Sequence, residues 1–125
     1  MTTVYLTVAE VLAIHADQIE RFGGSAGVRD PGQLDAALFR PQTGYYRDVI
    51  AEACALWESL SQNHPFVDGN KRTAFAVAIT FLSVNGYALV AGEAAVIKFL
   101  LPLYDRHRFS FDVLDAWLRK NARTL

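Results

Sequence analysis

Apolar residues at Val8, Val11, Leu12, Ile19 and Phe22 recur at helical spacing. Thr7 and Glu10 have the spacing of a capping box, and Gly23-Gly24 follows, so a helix is predicted over about 8–22. His15 and Gln18 fall on its polar side, where a solvated or capping role is expected for the histidine. Asp30-Pro31-Gly32-Gln33 marks a second start, with an aspartate cap and proline at the first helical position. That short helix runs through Phe39, and Pro41 breaks it. Gln42 to Tyr46 reads as a turn or small hairpin whose tyrosine pair either covers a substrate or packs on the core, with packing expected.

From Asp48 to Asn63, Ile50, Ala53, Cys54, Trp57 and Leu60 again follow helical spacing, leaving Asp48, Glu52 and Glu58 for solvent. From about Asn70 to Val84 the chain is apolar on nearly every side, which marks a central helix surrounded by others; Asn85-Gly86 ends it. Tyr87 to Val90 is too short to separate a strand from an extended connection. Ala94 to Tyr104 should be helical, with Pro102 kinking it or ending it at Leu101. A last helix begins after Ser110, where Phe109 and Leu114 have the spacing of a hydrophobic staple, and runs through Trp117. These elements predict an all-α fold.

With 125 residues, 52% of them hydrophobic, the chain fits a single domain over 1–125. A formal charge of −1 offers no broad attraction for a polyanion, so direct nucleic-acid or membrane-surface binding is not expected. Cys54 is the only cysteine, which excludes an internal disulfide, and its apolar neighbours mark it as core filler. The first residues lack the basic and apolar regions of a secretory signal, so a soluble cytoplasmic protein is expected.

The chemistry gathers between the third and fourth helices, in the run His64-Pro65-Phe66-Val67-Asp68-Gly69-Asn70-Lys71-Arg72-Thr73. Taken singly, Asp68 is a helix cap, Gly69 a turn, and Lys71 and Arg72 solvated charges. Together they form a compact loop in which free N–H groups at a helix start stand beside cations, a competent phosphate cradle. Asp68 can hold Mg²⁺ if a nucleotide supplies the other oxygens. His64 can take a proton from an attacking hydroxyl near neutral pH.

The run resembles the signature of the Fic/Doc superfamily, H-x-F-x-D-x-N-K/G-R, through His64, Phe66, Asp68, Asn70, Lys71 and Arg72. The Arg40-Pro41-Gln42 turn and the order of helices look like Doc, the death-on-curing branch of bacterial toxins. The resemblance implies a Fic/Doc-type helical bundle with a central buried helix after the loop. Superfamily members that transfer AMP carry glycine where this chain has Lys71 and a second arginine where it has Phe75. Departure at both positions implies the reversed placement of ATP understood for Doc, with the γ-phosphate at the histidine, and hence a protein kinase. In that reading His64 is the general base toward a serine or threonine hydroxyl, and Asp68 holds Mg²⁺. Gly69, Asn70, Lys71 and Arg72 bind the nucleotide, and Phe66 anchors the loop.

The resemblance further implies elongation factor Tu as the target and an antitoxin of the Phd type as a partner. No self-inhibitory motif of Ser or Thr, three residues, then Glu followed by Gly or Asn occurs here, so restraint is expected from a second chain. Leu114, Trp117 and Leu118 of the last helix are expected to pack in the core and not against that partner. Two readings compete: AMP transfer to a protein hydroxyl, and a catalytically idle module that engages an antitoxin.

Overall fold

The computed structural model describes residues 2–125. Among them the chain forms α1 (Val8–Phe22), α2 (Pro31–Phe39), a 3₁₀ turn (Arg40–Gln42), α3 (Val49–Asn63), α4 (Asn70–Val84), β1 (Tyr87–Leu89), α5 (Glu93–Asp105), α6 (Phe111–Asn121) and β2 (Ala122–Thr124). The fold is helical, as the periodicity predicts. None of these helices is long and apolar enough to cross a membrane.

Local chemistry accounts for the helix starts. Thr7 and Glu10 close a full capping box on α1. Asp30, Asp48 and Ser110 each accept a hydrogen bond from the backbone N–H three residues on, capping α2, α3 and α6. Gly23 and Asn85 end α1 and α4 at the expected places.

Helices α3 and α4, on either side of the loop, carry the core. Helix α3 is buried without a break from Ile50 to Trp57. Helix α4 buries Thr73, Ala74, Val77, Ala78, Phe81 and Leu82, while Phe75, Ala76, Ile79 and Thr80 on its other side are half-buried. Cys54 is fully buried, and burial pushes its thiol well above the ordinary range, so it is inert packing. Leu114 and Leu118 of α6 are fully buried, and Trp117 stacks on Phe99 at 4.5 Å, so this helix face packs inward.

One expectation changes and three open readings are decided. Asp48, Glu52 and Glu58 are not free for solvent: Asp48 is gripped by Arg119, Glu52 is buried and accepts from the Tyr5 hydroxyl at 2.9 Å, and Glu58 pairs with Arg40 at 2.9 Å. Arg40–Gln42 forms a 3₁₀ turn and bends follow it, so the turn and not the hairpin is found; Tyr46 packs on Phe111 and accepts from Arg40, while Tyr45 stays exposed. Pro102 lies inside α5 without ending it. Tyr87–Leu89 is a strand, paired antiparallel with Ala122–Thr124, a partner too short and polar to signal itself in the sequence.

Candidate active site

The chain leaves α3 at His64, whose φ of 49° and ψ of 55° lie in the left-handed region. A side chain there costs on the order of 1 kcal/mol and persists only when its surroundings impose it. Arg29 does so. Its Nε donates to the His64 carbonyl at 2.7 Å and its Nη2 to the Asn63 carbonyl at 3.0 Å, satisfying carbonyls that the end of α3 leaves unpaired. The Arg29 and Asp30 N–H groups donate to the Pro65 carbonyl at 2.8 and 3.0 Å, and Val67 N–H donates to the Gly27 carbonyl at 3.0 Å. The loop is thereby tied to the segment before α2, with its imidazole left exposed.

Phe66 is the anchor, 1% exposed and stacked on the His15 ring at 3.9 Å. His15 is buried, not solvated, and its Nε2 lies 2.9 Å from the Asp68 carbonyl. A carbonyl only accepts, so Nε2 carries the hydrogen. The Asn70 carboxamide closes the loop on itself, accepting from Phe66 N–H at 2.9 Å and donating to the Phe66 carbonyl at 3.0 Å.

Asp68 is exposed and accepts from Gly69 N–H at 2.8 Å and Ser25 N–H at 3.2 Å. Those two donors, with the nearby Arg72 charge, hold its carboxyl below the usual carboxylate range. It is ionised at neutral pH. The turn that follows needs Gly69, whose φ is 74°. Helix α4 makes its first hydrogen bond from Thr73 N–H to the Gly69 carbonyl, so the Asn70, Lys71 and Arg72 N–H groups have no partner within the helix. Arg72 donates to the Phe22 and Gly23 carbonyls at 3.1 and 2.8 Å, capping α1. The Lys71 ammonium sits 4.5 Å from the centroid of the Tyr104 ring.

Between the end of α1 and the loop opens a depression of about 570 Å³, lined by His64, Asp68, Gly69, Asn70, Lys71 and Arg72 together with Phe22, Gly23, Gly24 and Val67. The structure thus brings all six sequence-derived residues to one cavity of ligand size. A neighbouring depression of about 360 Å³ shares His64 and Lys71 with it and runs toward Tyr104 and Phe109. Asp68 has the chemistry for a hard cation; no cluster of three or more His, Cys, Asp or Glu side chains occurs among the described residues, so the fit is to an ion completed by phosphate oxygens and water.

The Fic/DOC family matches residues 5–82, more than half of the chain and all of the loop. The chain belongs to the Fic/DOC family. It is similar to "Toxin Doc" of Mycolicibacterium smegmatis, 55% identical over 75 residues that make up 56% of this chain and 58% of that protein. It is also similar to "Protein kinase doc" of Escherichia phage P1, 33% identical over 86 residues, or 66% of this chain and 68% of that one. The match to the mycobacterial relative covers less than two thirds of its length.

Within this Fic/DOC site, sequence reasoning passed over Arg29, Ser25 and Tyr104 and misplaced His15. A signal for His15 existed: it lies four residues from both Val11 and Ile19, on the buried stripe of α1. Nothing local marks Arg29, whose partners lie 34 and 35 residues away.

Proposed function

We propose that the chain is a Doc-type toxin, an ATP-dependent kinase that phosphorylates a serine or threonine hydroxyl on a translation factor, with elongation factor Tu as the candidate target. The observation that carries this reading is the exposed His64, held in a strained conformation at the rim of an open depression that also presents an ionised Asp68 and the N–H groups of α4.

In this reading the acceptor hydroxyl gives its proton to His64 as its oxygen bonds to the γ-phosphorus. The bond from that phosphorus to the β,γ-bridging oxygen breaks, and ADP leaves. The α4 N–H groups, Lys71 and Arg72 face the phosphates, which is the positioning and charge stabilisation that phosphoryl transfer requires. Mg²⁺ held by Asp68 and the nucleotide would neutralise phosphate charge.

Kinase chemistry is favoured over AMP transfer by two residues. Lys71 places a long cation where a glycine would let backbone approach. Phe75, where an AMP-transferring member has arginine, packs edge-on against Trp57 at 5.4 Å and offers no cation. The name of the phage P1 relative agrees. The name of the mycobacterial relative, with the lack of a self-inhibitory motif, supports restraint by a separate antitoxin of the Phd type in the cytoplasm.

Mass spectrometry of elongation factor Tu incubated with the chain and Mg–ATP tests the reading. A gain of one phosphoryl group is expected, and a gain of an AMP unit overturns the kinase assignment. Expression with and without the protein of the neighbouring reading frame tests the toxin–antitoxin part, with growth arrest relieved by that neighbour as the expected result.

A further inference from the structure

We infer that Tyr104, on α5 and outside the stretch that matches the family, is a positioning residue that confines the Lys71 ammonium beside the ligand-sized depression. This rests on the reading of Lys71 as a phosphate-binding group. A free lysine side chain has many rotamers, and holding it for a ligand sacrifices that freedom. The Tyr104 ring is a suitable fixed point because it is itself held. Its hydroxyl is 2.9 Å from that of the buried Ser61, and its face stacks on Phe109 at 4.6 Å with an interplanar angle of 13°.

The ammonium stands 4.5 Å from the ring centroid, within the range of a cation–π contact. The ring attracts the cation through its π-face and leaves ammonium N–H groups free to donate elsewhere. Lys71 borders both depressions, while Tyr104 lines only the smaller one, so the ring holds the lysine from the side of the smaller depression. The aromatic contact thus arranges the lysine before a nucleotide arrives, which lowers the ordering cost of binding.

A double-mutant cycle tests this, with Mg–ATP as the probe, no protein acceptor present, and affinity measured by calorimetry. Tyr104→Phe retains the ring and should bind within about twofold of the unaltered chain. Tyr104→Leu removes it and should weaken binding about two- to fivefold, the range of an exposed cation–π contact. In a Lys71→Ala background Tyr104→Leu should have no further effect. No loss in Tyr104→Leu, or an equal loss in the Lys71→Ala background, overturns the proposal. If Lys71→Ala alone leaves affinity unchanged, the phosphate-binding reading of Lys71 fails, and this proposal with it. Should Tyr104→Leu not fold, proton NMR of the unaltered chain decides: the Lys71 ε-methylene resonances should lie upfield through the ring current, and ordinary shifts would overturn the contact.

Discussion

His15 on α1 donates through Nε2 to the backbone carbonyl of Asp68, 53 residues away, at 2.9 Å, while its ring lies flat against Phe66. One side chain therefore secures both the anchor and the turn of the loop. His15→Ala would open a cavity under Phe66 and release the carbonyl, and should cost about 2–4 kcal/mol by urea denaturation. His15→Gln, which can restore an N–H donor, should recover part of that loss. A change below about 0.5 kcal/mol in His15→Ala, the scale of an ordinary surface substitution, would show that the contact does not hold the loop.

Gly24 faces the side-chain carboxylate of the same residue, Asp68. Its φ is 112°, and an added β-carbon would stand 2.8 Å from Asp68 Oδ2. Gly23 also has a positive φ, of 82°, but nothing lies within 4 Å of its β-position. Both alanine variants should lose about 1 kcal/mol from backbone strain. Only Gly24→Ala should also displace Asp68 and weaken Mg–nucleotide binding, and equal affinities in the two variants would rule out this steric coupling.

The conformation of His64 sets stability against activity. His64→Gly relieves the left-handed strain at an exposed position and should be about 1 kcal/mol more stable than His64→Ala. Both should lose phosphoryl transfer by on the order of 10²–10⁴-fold, the contribution of a general base. Near-normal transfer by either variant would remove His64 from that role.

Asp48 links the two ends of the helical core. It caps α3 through Ala51 N–H at 2.9 Å and accepts from both terminal guanidinium nitrogens of Arg119 at 3.0 Å. The Arg119 hydrogen bonds, then the Ala51 N–H, hold its carboxyl below the ordinary range despite partial burial. The unfolded chain therefore binds a proton there more readily, and the stabilisation is present above the unfolded pKa of about 3.9 and lost as pH falls through the lower folded value. Asp48→Asn should flatten the stability–pH curve in that acid window. Asp48→Ala should cost about 1–2 kcal/mol at neutral pH, mostly through the lost cap. An unchanged acid limb in Asp48→Asn would place the titration elsewhere.

Much of this protein is legible residue by residue. Thr7 with Glu10, Asp30 and Ser110 announce three helix starts because a cap satisfies backbone donors only two or three positions away. The run from His64 to Arg72 is likewise local: its turn, its carboxylate and its cations share one loop, and the structure brings them to one depression.

What stayed hidden depended on distance along the chain. Glu52 looked solvated because periodicity cannot foresee a Tyr5 hydroxyl arriving from 47 residues away, and β1 had no visible mate until α6 delivered Ala122–Thr124 beside it. The sequence alone determined the helices and the chemical inventory of the loop, since caps, turns and the 3.6-residue period act within about one helical turn. Only tertiary packing decided that Arg29 would pin the backbone of His64, that His15 would carry Asp68, and that Tyr104 would meet Lys71. Those contacts join groups that the chain alone keeps 33 to 53 residues apart, and they exist only once α3 and α4 have buried their shared core.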